Sequence, residues 1–251
     1  MDAQREVAAR PIGPPASSVT TPVLLADDWR VEVVDSGPLF ESAERIEYEV
    51  FLEKEFCAES ATGRAAEYEP WRRLSTFQVA IAPDGSIGGV IRVMFGPYGD
   101  LPVGKFERKI TYPVDPVAEI ASLAVPRQWR RHAGVAEALY REAWSGAVRQ
   151  RATGLVAIGE NWLLDLLNLG YDFGFVILGE THWYMGGDCF PIGAGLGDMA
   201  RRMSRNQPEF WAWFSDRLDL RDRTALTTAD GRETVIDLTT DVSASSELDL
   251  R

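Results

Sequence analysis

Segments with the two-residue repeat of β-strands alternate with segments of helical repeat through most of this 251-residue chain. The clearest strands form a hairpin at 75–95, where two apolar runs flank the turn sequence PDGS at 83–86. The clearest helical repeat is HAGVAEALYREAWSGAVRQ at 132–150. Such alternation predicts one mixed α/β (α+β) domain, in which helices flank a central mixed sheet.

The segments on both sides of the hairpin extend this pattern. Further strands are predicted at 29–35, 117–125, 154–160 and 173–185, and further helices at 38–56, 161–170 and 207–220. Gly170 suits a left-handed cap at the end of its helix. The last helix is amphipathic, and we expect it to dock through Phe210, Trp213, Phe214 and Leu218.

The two ends of the chain differ from this ordered part. Residues 1–22 include PIGPPASSVTTP, whose proline, serine and threonine without periodicity predict a disordered arm. Residues 221–251 predict an acidic, loosely ordered tail, in which 234–238 could add one strand. We therefore expect a single domain over 23–220.

The charge of the chain argues against several classes of partner. A formal net charge of −12 disfavours binding to nucleic acid or to an anionic membrane surface, since both need a basic face. No stretch approaches the roughly 18 apolar residues of a membrane span, and the N-terminus has no apolar signal core. We therefore expect a cytoplasmic protein without a membrane span.

Cysteine and histidine are few and scattered. The chain has two of each, Cys57, Cys189, His132 and His182, without metal-ligand spacing. We therefore expect no metal, and we interpret both cysteines as buried structural thiols.

The sequence RRHAGVA at 130–136 follows the apolar run AEIASLAV and begins the helix at 132–150. A helix N-terminus presents unpaired N–H groups, and small residues such as Gly134 and Ala136 let a ligand approach them closely. With arginines alongside, this arrangement suits a pyrophosphate. An ordinary helix start beside solvated arginines would use the same residues, so the physics alone leaves both interpretations open.

The spacing from Arg131 to Ala136 matches R-x-x-G-x-A and resembles the acyl-CoA pyrophosphate loop of the GNAT acyltransferase superfamily. The resemblance covers about 75–185. It implies the GNAT fold, in which two strands splay apart and the pantetheine arm of the donor lies between them. It also implies that a run of residues binds the donor: Leu123, Ala124, Val125, Arg130, Arg131, His132, Ala133, Gly134, Val135 and Ala136.

A narrower resemblance is carried by the order of ERIEYEVFLEKEF, FQVAIAPDGSIGGVIRVM, LPVGKF and AEIASLAV. It is similar to the order in acyl-homoserine-lactone (autoinducer) synthases and N-acyl amino acid synthases, a GNAT branch that often uses acyl carrier protein. The segment EYEPWRR at 67–73 reproduces little of the lactone synthases' acidic cluster. The matching positions are Arg45, Val50, Phe51, Gly89, Arg92, Phe106 and Glu119.

The resemblance implies an N-acyltransferase that takes an acyl group from acyl-CoA or from the phosphopantetheine of acyl carrier protein. The acceptor would be a small amine, for example an amino acid, and the basic stretch 127–131 could dock an acidic carrier protein. A non-catalytic GNAT-like module that binds CoA or a protein partner is the alternative. A dinucleotide-binding fold is disfavoured, because the loop lacks G-x-G-x-x-G.

Glu119 is the candidate general base, since it is a carboxylate on an apolar strand and matches the base of several GNAT enzymes. Strand alternation places Glu119, Ala121, Leu123 and Val125 on one face and Ser122 on the other. Two structural alternatives stay open, in which Glu119 lies in water at a sheet edge or pairs with Arg92.

The usual general acid of the superfamily is absent, because Leu166 stands where tyrosine is often found. The proton for the leaving thiolate could come from solvent, from His182 or from Tyr184, and we interpret Tyr171 as a packing residue. For the acceptor, the candidates are Arg92, Arg45 and Phe106, with an arginine clamping a carboxylate. Either arginine could instead lie on a solvated face.

Overall fold

The computed structural model describes residues 29–132 and 134–228. Its strands form one sheet in the order β1-β2-β3-β4-β5-β8-β6, and β7 pairs with β8. β4 and β5 are parallel and the other pairs are antiparallel, so the predicted mixed sheet is confirmed. The strands are β1 Arg30–Val34, β2 Ser75–Ile81, β3 Ile87–Gly96, β4 Val117–Ala124, β5 Gly154–Gly159, β6 Val176–Ile177, β7 His182–Tyr184 and β8 Gly187–Gly195.

Helices cover both faces of this sheet. α1 packs against β2, β3 and β4 on one face, while α2 and α4 cover the other. The helices are α1 Gly37–Glu53, α2 Val135–Arg149, α3 Asn161–Asp165, α4 Leu196–Asn206, α5 Pro208–Phe214 and α6 Leu220–Thr228. A 3₁₀ segment at Ala66–Leu74 follows α1 and lies over the same face of the sheet.

The sequence pattern missed β8 and α4, although β8 lies between β5 and β6 in the sheet. The strand GDCFPIGAG carries three glycines and Pro191, which count against a strand in isolation. Pairing with β5 on one side and with β6 and β7 on the other overrides that preference. The predicted strand 173–185 contains only the short β6 and β7.

The predicted left-handed cap at Gly170 is wrong. α3 continues as a π-helical turn, Leu166–Gly170, and positive φ occurs instead at Asp172, with 55°. The side chain of Asn168 stabilises this exit, because its amide bonds both the N–H and the carbonyl of Phe175 at 2.7 and 2.8 Å.

The last helices pack largely as expected. Phe210, Phe214 and Leu218 are buried, and Trp213 is half-buried. Beyond them the chain continues as α6, where the sequence indicated a loosely ordered tail from 221. The predicted arm at 1–22 and the predicted strand at 234–238 lie outside the described residues.

One buried ion pair joins α1 to the sheet. Arg92 on β3 donates to both carboxylate oxygens of Glu47 on α1, at 2.9 and 2.6 Å. A third bond runs from Arg92 to the Ser75 hydroxyl at 2.8 Å. The guanidinium also lies 4.4 Å from the ring centre of Phe77 and 4.9 Å from that of Tyr68. Every direction around this charge is therefore occupied by the protein.

We predict that Glu47→Met lowers the free energy of unfolding by about 3–5 kcal/mol, because it leaves Arg92 buried without a counter-charge. The double variant Glu47→Met/Arg92→Met should lose less, since both charges are gone. Urea unfolding of the wild type, of the single variants Glu47→Met and Arg92→Met, and of the double variant measures this. A double variant as unstable as the sum of the two single changes would contradict the coupling.

Candidate active site

The parallel strands β4 and β5 pair over only three positions and then separate. The register joins Val117 to Gly154, Ala118 to Leu155 and Glu119 to Val156. β4 runs on to Ala124 and β5 to Gly159 without further pairing to each other. The sheet therefore opens at the carboxyl ends of these two strands.

A bulge in β4 accompanies this opening. Arg92 on β3 pairs with Ser122, but the next residue of β3 pairs with Ile120, so Ala121 has no partner on β3. The carbonyl of Ala121 instead accepts a 2.5 Å hydrogen bond from the Tyr68 hydroxyl. The 3₁₀ segment that carries Tyr68 therefore holds the bulge from the α1 side.

The bulge overturns the predicted faces of β4. Arg92 and Met94 lie two residues apart on β3 and so share a face, and their partners are Ser122 and Glu119. Glu119 and Ser122 therefore lie on the same side of the sheet, toward α1. The expectation that they face opposite sides is wrong, because one extra residue resets the two-residue repeat.

A cavity of about 290 Å³ occupies the gap between β4 and β5. It reaches both faces of the sheet. Aromatic and aliphatic side chains from the α2 side form its deeper wall: Tyr140, Trp144, Leu167, Phe173, Met199 and Phe214. From the α1 side, the wall consists of Phe51, Phe56, Tyr68, Tyr184 and Met185.

The polar groups of this cavity are few. Among the described residues that line it, Glu160 is the only one with a charged side chain. Cys189 is a free thiol whose pKa burial and the nearby Glu160 raise to about 11. Tyr171 lies in the wall, stacks on Phe173 at 5.2 Å, and donates to Glu137 at 3.0 Å. The packing role predicted for Tyr171 thus comes with a hydrogen bond.

The RRHAGVA loop lies at the edge of this cavity. Gly134 caps α2 with φ of +89°, a conformation that a side chain would strain, and no side chain caps the helix. Ala136 in the first turn of α2 and Leu123 on β4 both line the cavity. Arg131 is exposed and makes no ion pair with another described residue. Within the described ranges, the first turn of α2 therefore offers N–H groups without a side-chain partner, and Arg131 offers an unpaired positive charge.

The other donor-site candidates are placed differently. Arg130 donates to the Val125 carbonyl at 3.0 Å and to both oxygens of Glu53 at 2.7 Å, so its guanidinium, although exposed, is already paired. The His132 ring stacks on Trp29 with 4.7 Å between ring centres. Ala124 and Val135 are buried in the core, Val125 packs against it, and Ala133 lies outside the described residues.

Glu119 is fully buried behind the cavity wall. The Val103 N–H donates to one carboxylate oxygen at 2.9 Å, and the other oxygen has no partner among the described residues. Burial raises the pKa of Glu119 to about 8, and the negative charge of Glu67 adds to that rise. The Val103 N–H and Lys105 oppose it. Both structural alternatives, solvent exposure and pairing with Arg92, are wrong.

Tyr184 belongs to the cavity wall and His182 does not. The Tyr184 hydroxyl donates to Glu67 at 2.7 Å, and burial is the main cause that raises its pKa well above the usual range. Lys105 also bonds Glu67 and lies 5.7 Å from the Tyr184 ring centre. His182 is exposed, with its ring against that of Phe106, which is itself buried beside Tyr184.

Neither arginine proposed for a substrate carboxylate reaches the cavity. Arg92 is buried and bonded to Glu47 and Ser75, so the clamp predicted for it is wrong. Arg45 is exposed on α1, whose neighbours Glu44 and Glu47 face inward. The helical repeat explains why Arg45 is exposed while Glu44 and Glu47 are buried. Residues three apart share a face of the helix, and the residue after Glu44 lies about 100° around the axis.

The pattern did not single out Tyr68, Glu67, Lys105 or Glu160. Tyr68 and Glu67 lie in an irregular segment without periodicity, so no spacing signals that they meet β4. Lys105 belongs to LPVGKF, whose order along the chain contributes to the resemblance, but nothing in the sequence marks the lysine itself. Glu160, at the end of a predicted buried strand, offered the one usable signal: a carboxylate where an apolar run ends.

Within the described ranges, no helix is long and apolar enough to cross a membrane. The same ranges hold no group of three or more histidine, cysteine or acidic side chains arranged for a metal ion.

No protein-family model and no curated protein matches this chain. Solved structures do. The autoinducer synthase LasI matches with a TM-score of 0.52 and 11% identity, over 72% of this chain and 94% of that one. The N-acyl amino acid synthase FeeM, from uncultured soil microbes, matches with 0.51 and 12%, over 69% and 94%. The CoA-dependent acyl-homoserine lactone synthase BjaI matches with 0.50 and 14%, over 75% and 90%.

The chain has the GNAT fold. In this GNAT fold the separating strands are β4 and β5, and the loop before α2 is the segment that the resemblance assigned to pyrophosphate. The predicted fold is thereby confirmed, and so is the structural resemblance to the autoinducer synthase and N-acyl amino acid synthase branch.

We predict that Glu119→Gln changes how stability depends on pH. The folded pKa of about 8 exceeds the ordinary value of 4.5, so between these values the folded carboxyl holds a proton that the unfolded one has released. The wild type should therefore lose stability as pH rises through this interval, by several kcal/mol at about 1.4 kcal/mol per pKa unit.

Urea unfolding at about pH 5.5 and about pH 8.5 measures the effect. The difference in unfolding free energy between Glu119→Gln and the wild type should grow toward the higher pH, because only the wild type loses this contribution. Parallel changes in the two proteins would show that Glu119 has an ordinary pKa.

Proposed function

We propose that this protein is an N-acyltransferase that moves an acyl group from acyl-CoA or acyl carrier protein to a small amine. The observation that carries the proposal is the apolar cavity in the gap between β4 and β5, directly beside the uncapped N-terminus of α2. The likeness to solved acyltransferases supports the same reading at the level of the fold.

The donor's diphosphate would lie on the loop before α2. Unpaired N–H groups in the first turn and the partial positive charge of the helix favour an anion there. Arg131 adds a charge-assisted hydrogen bond, whereas Arg130 is bound to Glu53 and supports the loop. Arg127 and Arg131 are both exposed and would also face an acidic carrier protein.

The deeper wall of the cavity suits the acyl chain, because its side chains are aromatic and aliphatic. A cavity of about 150 Å³ holds benzene, and this one measures about 290 Å³. By that comparison it accommodates roughly a dozen carbon atoms of acyl chain and acceptor body together, which favours an acyl chain of several carbon atoms over acetyl.

Acyl transfer needs an amine that has lost its proton and a leaving thiolate that gains one. The amine nitrogen attacks the thioester carbonyl, the C–S bond breaks, and the amine releases a proton. Glu119 is the proposed base: its ionised form, which becomes populated as pH approaches its pKa of about 8, takes that proton through one water, since the carboxylate lies behind the wall. Tyr184 is the proposed donor to the thiolate, because its side chain lines the cavity; its hydroxyl proton would turn from Glu67 toward the sulfur.

The experiment that tests this function measures thiol release from acyl-CoAs and acyl carrier proteins of increasing chain length, with pooled amines and amino acids. We predict release that peaks at medium length and falls by about tenfold or more in Glu119→Gln, since a general base contributes roughly that much or more. Binding of a donor without release for any acceptor would instead favour a non-catalytic module.

The donor loop has a separate test with a matched control. We predict that Arg131→Ala weakens acyl-CoA binding roughly tenfold, because it removes one charge-assisted hydrogen bond to phosphate. Arg45→Ala removes an equally exposed arginine from the outer face of α1 and should leave binding unchanged. Calorimetric titration gives the acyl-CoA affinity of the wild type and of both variants. Equal affinity in all three proteins would move the phosphate site elsewhere.

A further inference from the structure

We propose that the acceptor is an amine without a carboxylate: a cationic head on an apolar or aromatic body, rather than an amino acid. This inference rests on the proposed function and specifies the acceptor side of the same cavity. It comes from the distribution of charge around the gap between β4 and β5.

The cavity offers no cation to a carboxylate. Among the described residues that line it, the polar side chains are those of Ser122, Glu160, Cys189, the tyrosines and the tryptophans, and none of them carries a positive charge. A carboxylate taken out of water without a charged partner is costly. An amino acid would lose its hydration there and would also face the negative charge of Glu160.

Apart from Arg131, which we assign to the donor's phosphate, the nearby cations are already neutralised. Arg92 is enclosed by Glu47 and Ser75 on the far side of the wall. Lys105 lies close to Tyr184, but its ammonium bonds the Glu67 carboxylate and lies 5.1 Å from the ring centre of Trp71. A substrate carboxylate would have to displace Glu67 to reach it.

An ammonium group, by contrast, meets favourable charge at Glu160. This carboxylate lies in the wall, where it packs over Gly187 and accepts the indole N–H of Trp162. Glu67, behind Tyr184, is already paired with Lys105. Glu160 therefore favours the entry of a cationic amine before it loses its proton.

The cavity wall on the α1 side, where the apolar body of the acceptor would lie, is mainly aromatic. Phe51, Phe56, Tyr68 and Tyr184 form most of the wall on the α1 side, opposite the deep wall assigned to the acyl chain. Phe51 packs edge-on against Phe56 at 5.8 Å, so the wall is preassembled. Aromatic faces bind apolar groups and stabilise cations near them. This surface therefore suits an aromatic or branched aliphatic amine.

The experiment uses the full-length protein with whichever donor gives the fastest thiol release. Acceptors are compared in matched sets of three: tyramine, tyrosine and tyrosine methyl ester; tryptamine, tryptophan and its methyl ester; isoamylamine, leucine and its methyl ester. We expect kcat/KM to be at least about tenfold higher for each amine than for its amino acid, since the site leaves the carboxylate unpaired.

The esters separate charge from size. Because an ester keeps the bulk of the carboxylate without its charge, it should react like the amine. An ester as poor as the amino acid would mean that the site excludes bulk, and it would overturn the charge argument. Amino acids that react as well as the amines, or better, would overturn the inference while the acyltransferase stands. If none of the acceptors supports thiol release, the proposed function itself is refuted.

Two variants assign the effect to residues. Glu160→Gln keeps an acceptor for the Trp162 indole but removes the charge, so the preference for amine over amino acid should shrink several-fold. Lys105→Met should leave that preference in place, because Lys105 is bound to Glu67. Amino acid turnover lost in Lys105→Met alone would assign Lys105 to a substrate carboxylate and overturn the proposal.

Discussion

The hydrogen bond from Tyr68 to the Ala121 carbonyl holds the bulge in β4, and the gap in the sheet depends on that bulge. A regular β4 would keep its two-residue alternation and could continue pairing with β5. Pairing stops instead after Glu119, and the cavity fills the opening. The wall proposed for the acyl chain, the loop before α2 and the buried Glu119 all lie around this opening.

Most positive charges near the cavity are paired with carboxylates of the protein. Arg92 joins β3 to α1 through Glu47, Arg130 joins the loop before α2 to Glu53 at the end of α1, and Lys105 is bound to Glu67. The Arg130–Glu53 pair also lowers the pKa of Glu53. Among the described residues, this leaves Arg131 at the loop and Glu160 in the cavity without an ion pair. On the proposed function, the arginine would attract the anionic donor and the carboxylate would attract a cationic acceptor.

Much of the fold could be predicted from periodicity, because the hairpin, α1, α2, β4 and β5 bury regular apolar faces. β8 could not, since its glycines and Pro191 form a strand only when neighbours pair on both sides. The loop and Glu119 were found from a motif and an out-of-place charge. Tyr68 and Glu67 were missed, because an irregular segment gives no spacing from which contacts across the fold can be inferred.

The buried thiol of Cys189 has a chemical consequence for a thioester held beside it. Thiolates attack thioesters and thiols do not, and a pKa of about 11 leaves roughly one thiolate in ten thousand at neutral pH. The apolar wall that would hold the acyl chain also keeps this sulfur protonated. The protein can therefore carry a cysteine next to an activated acyl group without acylating itself, which leaves the incoming amine as the competent nucleophile.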